Sequence, residues 1–252
     1  MSEDARTDAP DPRLPAGFVL ARVGAEGDPA SFVELRREGE REGRGVRCDF
    51  GAISLRGGRA EARAMPVVKA VGDARTVVDA TAGLLGDAFL LAVAGYEVTA
   101  IERSAVIYLL AKDGIERAER DPRLAELLGG RLKLVHADAR EWLAARAGTA
   151  EAPDAVVIDP MFPPKRKQSA LPRKEMVLVR EVVGSDLDAA ELLEVARGCA
   201  RSRVALKRGD DAEEIVRPEW RIGGTTVRFD VWPARGPASP NASPNPYPPT
   251  TA

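Results

Sequence analysis

Thr76-Val77-Val78-Asp79-Ala80-Thr81-Ala82-Gly83-Leu84-Leu85-Gly86-Asp87 is the stretch on which the fold turns. A short apolar run ends in a carboxylate, passes through a glycine-bearing turn and enters a helical pattern over 86–94. Such a turn lets the backbone approach a ligand with no Cβ in the way. It departs from the G-x-G-x-x-G of dinucleotide binders, because Thr81 and Leu85 stand where glycines would. A pyrophosphate site is therefore weakly supported. A nucleoside without phosphate, or a plain strand-to-helix turn, fits as well.

Outward from this stretch, strand and helix patterns alternate. Strands are expected at 97–102, 131–136, 154–159 and 203–207, and helices at about 104–119, 139–147 and 186–200. The two last strands, near 219–222 and 225–232, are joined by Gly223-Gly224 and read as a closing antiparallel hairpin. Alternation at this spacing implies a mostly parallel, seven-stranded α/β sheet with helices on both faces. Upstream, residues 14–64 carry short alternating runs, at 18–20, 32–35, 46–50 and 53–55, and read as a small β-rich unit. A short helix over 65–71 leads from it into the main domain, 65–232. Residues 1–13 and 233–252 are polar and proline-bearing, without apolar periodicity, and are expected to stay unfolded.

Bulk properties narrow the classes. The net charge of −2 gives no general bias toward nucleic acid, so any basic surface must be local. Two cysteines far apart, Cys48 and Cys199, and a single histidine, His136, argue against a zinc site and for free thiols in a reducing cytoplasm. The N-terminus lacks the basic and apolar regions of a signal peptide, and no run reaches the roughly 18 apolar residues of a membrane span.

Ligands of open α/β sheets bind at the carboxyl ends of the strands. Glu102-Arg103 ends the second strand of the main sheet, where a carboxylate offers two acceptors to a ribose diol. Asp138 follows the third strand, where it reads equally as an acceptor for an adenine amine or as a helix N-cap. His136 has no evident partner and reads as structural.

The most specific signal follows the fourth strand: Asp159-Pro160-Met161-Phe162-Pro163-Pro164. It resembles the [D/N]-P-P-[Y/F] loop of amino-methyltransferases. An exocyclic amine is a poor nucleophile, because its lone pair is delocalised into the ring. The Asp159 carboxylate and the Pro160 carbonyl supply acceptors that hold its N–H groups, proline stiffens the turn, and Phe162 offers a flat face to an extruded base. Lys165, Arg166, Lys167, Arg173 and Lys174 follow as a local phosphate-binding surface. Lys207, at the end of the fifth strand, is a weaker candidate for the same surface.

These residues, with Val78 to Leu84, Asp87-Ala88-Phe89, the run from Lys165 to Met176, Asp186-Leu187-Asp188-Ala189 and Arg203 to Arg208, resemble the small-subunit ribosomal RNA guanine-N2 methyltransferases of the RsmJ type. The resemblance spans about residues 45–232. It implies a Rossmann-like class I methyltransferase fold, S-adenosylmethionine as donor without a metal, and a guanine N2 of 16S rRNA, free or in the small subunit, as acceptor. The catalytic positions are then Asp159, Pro160 and Phe162. The cofactor positions are Asp79, Thr81, Gly83, Gly86, Asp87, Glu102, Arg103, Asp138, Ala139 and Asp159. Two departures stand out: Gly86 replaces an arginine of the family, and Asp138-Ala139 replaces small hydroxyl residues. The loop chemistry is shared with methyltransferases of DNA adenine and protein glutamine. An NAD-binding Rossmann protein would use the glycine turn and Glu102 but leaves the Asp159 loop without a role.

Overall fold

The computed structural model describes residues 14–25, 28–161, 174–184, 186, 188–223 and 226–235. Its centre is a seven-stranded sheet. The strands are β3 (Thr76–Asp79), β4 (Glu97–Glu102), β5 (Leu132–His136), β6 (Ala155–Ile158), β7 (Arg203–Gly209), β8 (Trp220–Gly223) and β9 (Val227–Pro233). They lie in the order β5-β4-β3-β6-β7-β9-β8. The first five in that order run parallel, and β9 and β8 pair antiparallel, as the hairpin signal predicted. Central β6 is apolar at every position and fully buried, as a strand covered on both faces must be.

Side-chain alternation splits the interior into two layers. Val77 and Val157 join one cluster with α2 (Pro66–Val71) and α3 (Gly86–Ala94). Val78, Val156 and Ile158 join the other with α6 (Ala139–Ala144) and α8 (Ala189–Cys199). Both cysteines are free and buried. Among the described residues, no helix is long and apolar enough to cross a membrane.

The helix α4 (Ala105–Arg120) shows how local sequence sets an element. Ser104 caps it by accepting from the Ile107 N–H, and Val106, Ile107, Leu110 and Ala111 form its buried face. Asp121 then caps α5 (Pro122–Leu128), accepting from the Arg123 and Leu124 N–H groups, with Pro122 in the first turn.

The N-terminal unit is less β-rich than its alternation suggests. The strands β1 (Phe18–Val23) and β2 (Phe32–Arg37) pair as an antiparallel hairpin. Residues 46–50 contribute only a bridge between Val46 and Leu35, and 53–55 form no strand. Cys48, Phe50 and Leu55 instead turn into the main core, where Phe50 stacks on Phe89 with centroids 4.6 Å apart. Asp49 caps the 3-10 turn at 50–52 by accepting from the Gly51 N–H at 3.1 Å. Burying these apolar side chains against α3 outweighs strand pairing that has no neighbouring edge. Three helices were not foreseen: α1 (Gly58–Ala64), α5 and α7 (Lys174–Val183). The hairpin packs over α4 and α7 through Leu35, Val106, Leu110 and Leu178. Residues 1–13 and 236–252 lie outside the described residues.

Candidate active site

Strand order reverses between β3 and β6, so their carboxyl ends part and leave a crevice. A cavity of about 240 Å³ fills it. All the cofactor positions predicted from sequence line it, together with Pro160 and Met161. Phe162, Lys165, Arg166, Lys167 and Arg173 lie outside the described residues, and Lys174 opens α7 without its side chain being described.

The glycine turn is held from two sides. Gly83 adopts φ +52°, and its N–H donates to Glu102 Oε2 at 2.9 Å. The other oxygen of Glu102 accepts from the Ser104 N–H at 2.7 Å. Glu102 thus locks the turn to the end of β4. Leu85 takes φ 65°, the left-handed conformation expected of a glycine, with its side chain fully buried. That conformation costs roughly 1–2 kcal/mol; burying a leucine contributes about 1.5–3 kcal/mol, which offsets it. A Cβ on Gly86 would meet nothing within 4 Å.

Asp138 is the N-cap of α6, accepting from the Arg140 N–H at 2.8 Å, and it also pairs with the Arg140 guanidinium at 2.7 Å. The hydrogen bond from that guanidinium holds its carboxyl below the ordinary aspartate range. The helix-cap reading is therefore realised, and the carboxylate still faces the cavity. Arg103 reaches across the cavity mouth to Asp188 at 2.7 Å and to Asp186. Asp186 in turn accepts from the Met161 N–H at 2.7 Å, and its own N–H donates to the Met161 carbonyl at 3.0 Å. His136 Nε2 lies 3.2 Å from the Arg103 carbonyl, and its ring packs on Tyr108.

Asp159 stands where the loop leaves β6. Its N–H donates to Thr81 Oγ1 at 2.6 Å, tying this loop to the glycine turn across the crevice. Its side chain keeps 45% of its surface open. Lys207 Nζ lies 3.0 Å from Asp159 Oδ2 and 2.8 Å from Asp87 Oδ2. Lys207 is thus not part of a phosphate-binding surface as its strand-end position suggested. The side chains of β7 alternate, and this one turns into the cavity between two carboxylates.

The cluster is poised electrostatically. Burial pushes the Asp79 carboxyl up to about 8, reinforced by the neighbouring Asp87, so it is largely protonated at neutral pH. Enclosure by protein also raises Asp159, opposed by the Lys207 charge. Burial disfavours the Lys207 ammonium, yet Asp159 and Asp87 outweigh it and hold its pKa above the ordinary range. Glu102 is raised by burial.

Sequence reasoning missed Arg140, Asp186 and Asp188 as cavity residues and misplaced Lys207. Arg140 and Asp188 lie on or just before helices that approach the cavity only in the folded chain. Asp186-Leu187-Asp188 carried a signal through the resemblance, without a role attached.

Residues 28–234 match the family described as putative SAM-dependent methyltransferase. Over 195 residues the chain is 45% identical to the ribosomal RNA small subunit methyltransferase J of Thioalkalivibrio sulfidiphilus, covering 74% of this chain and 75% of the relative. It is 42% identical to the protein of the same name from Chromobacterium violaceum over 196 residues, 75% of each chain. The crystal structure of a SAM-dependent methyltransferase from Neisseria gonorrhoeae superimposes with a TM-score of 0.61 at 32% identity, covering 81% of this chain and 80% of that one.

Proposed function

The chain belongs to the SAM-dependent methyltransferases, in the group of the ribosomal RNA small subunit methyltransferases J, and on that premise we propose that it transfers a methyl group from S-adenosylmethionine to the N2 amine of a guanine in small-subunit ribosomal RNA. The observation that carries this reading is Asp159: an open carboxylate at the end of β6, facing the same cavity as the glycine turn, Glu102 and Asp138.

The residues present fit S-adenosylmethionine. The cavity walls combine apolar Ile101, Ala139 and Leu192 with the carboxyl groups of Asp79, Asp87, Glu102, Asp138 and Asp159. Apolar walls suit an adenine ring, and excess negative charge suits a sulfonium and an α-ammonium. In this reading Glu102 and Asp138 serve the ribose and adenine ends, and Asp87 with Gly86 the amino-acid end; all four line the cavity. When bound, the cofactor supplies an electrophilic methyl carbon.

The chain's own groups then position the acceptor. Asp159 Oδ1 has no hydrogen bond among the described residues, so it is available to accept an amine N–H. The Pro160 carbonyl is the second acceptor in this reading, and the two aim the nitrogen at the methyl carbon. Asp159 works as an acceptor, and the proton released after transfer leaves to water. Phe162 provides the stacking face, and Lys165, Arg166, Lys167, Arg173 and Lys174 contact phosphates. Residues 65–232 form the cofactor-binding domain of this reading; of residues 14–64, the hairpin docks on α4 and α7, and Cys48, Phe50 and Leu55 pack into the main core. A ribosomal RNA substrate implies the cytoplasm as the working compartment.

The test is transfer of labelled methyl from S-adenosylmethionine to unmodified small-subunit RNA, to assembled small subunits, to duplex DNA and to protein. Label is expected on one guanine N2 of the RNA, identified by digestion and mass spectrometry. Label confined to DNA adenine or protein glutamine would refute the acceptor assignment.

A further inference from the structure

Lys207 sits where three elements of the cavity meet, in β7 beside the first turn of α3 and the loop after β6. Its ammonium spans Asp87 at 2.8 Å and Asp159 at 3.0 Å. Its side chain is 23% exposed, and Nζ lies 5.9 Å from the centroid of the Phe229 ring. We propose that Lys207 is a positioning residue for methyl transfer, tying Asp159 to Asp87 so that one oxygen of Asp159 is held and the other is presented to the acceptor amine. This inference rests on the function proposed above.

The geometry divides the labour within one carboxylate. The backbone at Asp159 is fixed by the Thr81 hydroxyl at 2.6 Å, which sets where the side chain starts. Lys207 holds Oδ2, which sets the plane of the carboxylate. Asp87 anchors Lys207 from the helix that the glycine turn feeds, so the donor and acceptor sides share one cation. A lysine suits this place: an ammonium is a compact charge that bridges two carboxylates in different planes, whereas a guanidinium prefers one carboxylate edge.

The charges around Asp159 make the cation necessary. Among the described residues, Asp79 from β3, Asp87 from α3 and Asp186 from the segment before α8 face it with carboxyl groups, opposed by Lys207 from β7. With Lys207 gone, enclosure and the charges of Asp87 and Asp186 drive Asp159 toward the protonated form. A carboxylic acid carries a hydroxyl donor on one oxygen and only a neutral, weaker carbonyl acceptor on the other, so it aims an amine less firmly than a carboxylate does.

Lys207→Met keeps most of the stem and removes the charge; Lys207→Arg keeps the charge. Single-turnover rates at saturating cofactor are measured from about pH 5 to about pH 9, with S-adenosylhomocysteine affinity and thermal unfolding as controls on the site and the fold. For Lys207→Met the neutral-pH rate is expected to fall roughly 10- to 100-fold. The acid limb of the profile should move up by about one pH unit or more. Lys207→Arg should return the limb to its wild-type position with only part of the rate. A carbon-13 titration of the aspartate carboxyls, with the Asp159 signal identified by Asp159→Asn, should show the same upward movement in Lys207→Met without any RNA present.

A wild-type limb in Lys207→Met, or a loss equal at every pH with an unmoved Asp159 titration, overturns the proposal. If Lys207→Met does not fold, Lys207→Gln is read by the same two measurements. A wild-type protein that methylates none of the RNA substrates would sink the function reading instead, and the carbon-13 titration would still decide the role of Lys207.

Discussion

Glu102 and Asp159 are carboxylates of one cavity, at the ends of two strands that flank β3 in one sheet, and they are held in opposite ways. Both oxygens of Glu102 are taken by backbone N–H groups, and the residue is 7% exposed. Asp159 has one oxygen on a lysine and 45% of its side chain open. Backbone donors belong to the scaffold and cannot move without unfolding a turn, so Glu102 is a shape-setting group that ligands meet as fixed. A lysine on a flexible stem is a softer partner, and Asp159 keeps an oxygen free for chemistry. Asp138 follows the first pattern, with a backbone cap and an arginine. The side of the cavity built from β4 and β5 is thus pre-set, whereas the side built from β6 and β7 is held by charge.

The largest expected effect breaks the charged side. Asp159→Ala should lower the single-turnover rate roughly 100-fold or more, because an acceptor aimed at the reacting nitrogen is lost. Asp159→Asn keeps one carbonyl oxygen and should retain a measurable part of the rate. A wild-type rate in Asp159→Ala would mean that the open oxygen of Asp159 does no chemistry and that the two carboxylates do not differ in role. On the pre-set side, Glu102→Gln turns an NH₂ toward one of two backbone N–H groups and leaves that donor unpaired. This costs about 1–3 kcal/mol, so S-adenosylhomocysteine should bind roughly tenfold more weakly, with the rate at saturation within about threefold of wild type. Calorimetric titration separates the two variants; a rate loss in Glu102→Gln as deep as in Asp159→Ala would mean that both walls serve the chemistry alike.

The smallest effect concerns Asp79, which lies between the two sides. Its carboxyl is pushed up to about 8 by burial and by Asp87, so the folded chain keeps a proton that the unfolded chain has released. Stability contributed by this residue is therefore lost as pH rises from the ordinary aspartate range toward that value. Asp79→Asn keeps the acceptor for the Thr81 N–H, which lies 3.3 Å from Asp79 Oδ1, and removes the titration. The ligand-free variant should lose less melting temperature than wild type between about pH 6 and about pH 8.5. Parallel melting curves for the two proteins would exclude a raised Asp79.

Much of the site was legible because strand ends are legible. A strand that stops in Asp79, Glu102 or Asp159 after an apolar run announces a carboxylate at the sheet's carboxyl edge, and all three line the cavity. Lys207 showed where that rule fails: strand-end position fixes height along the sheet, while the alternation of side chains decides which face the residue serves. The N-terminal misreading had a different origin. Cys48, Phe50 and Leu55 alternate as strand residues do, but that pattern also suits an irregular segment that drops apolar side chains onto a helix.

By itself, the sequence determined the alternating α/β order, the antiparallel closing hairpin, the glycine turn and the Asp159 loop, because apolar periodicity and turn chemistry are local properties of the chain. Tertiary structure alone decided that Lys207 joins Asp87 to Asp159, that Asp186 grips Met161, and that Thr81 pins the Asp159 backbone. Each of these contacts joins residues far apart in sequence. Their geometry follows from strand order and register, which the chain acquires only when the sheet is assembled.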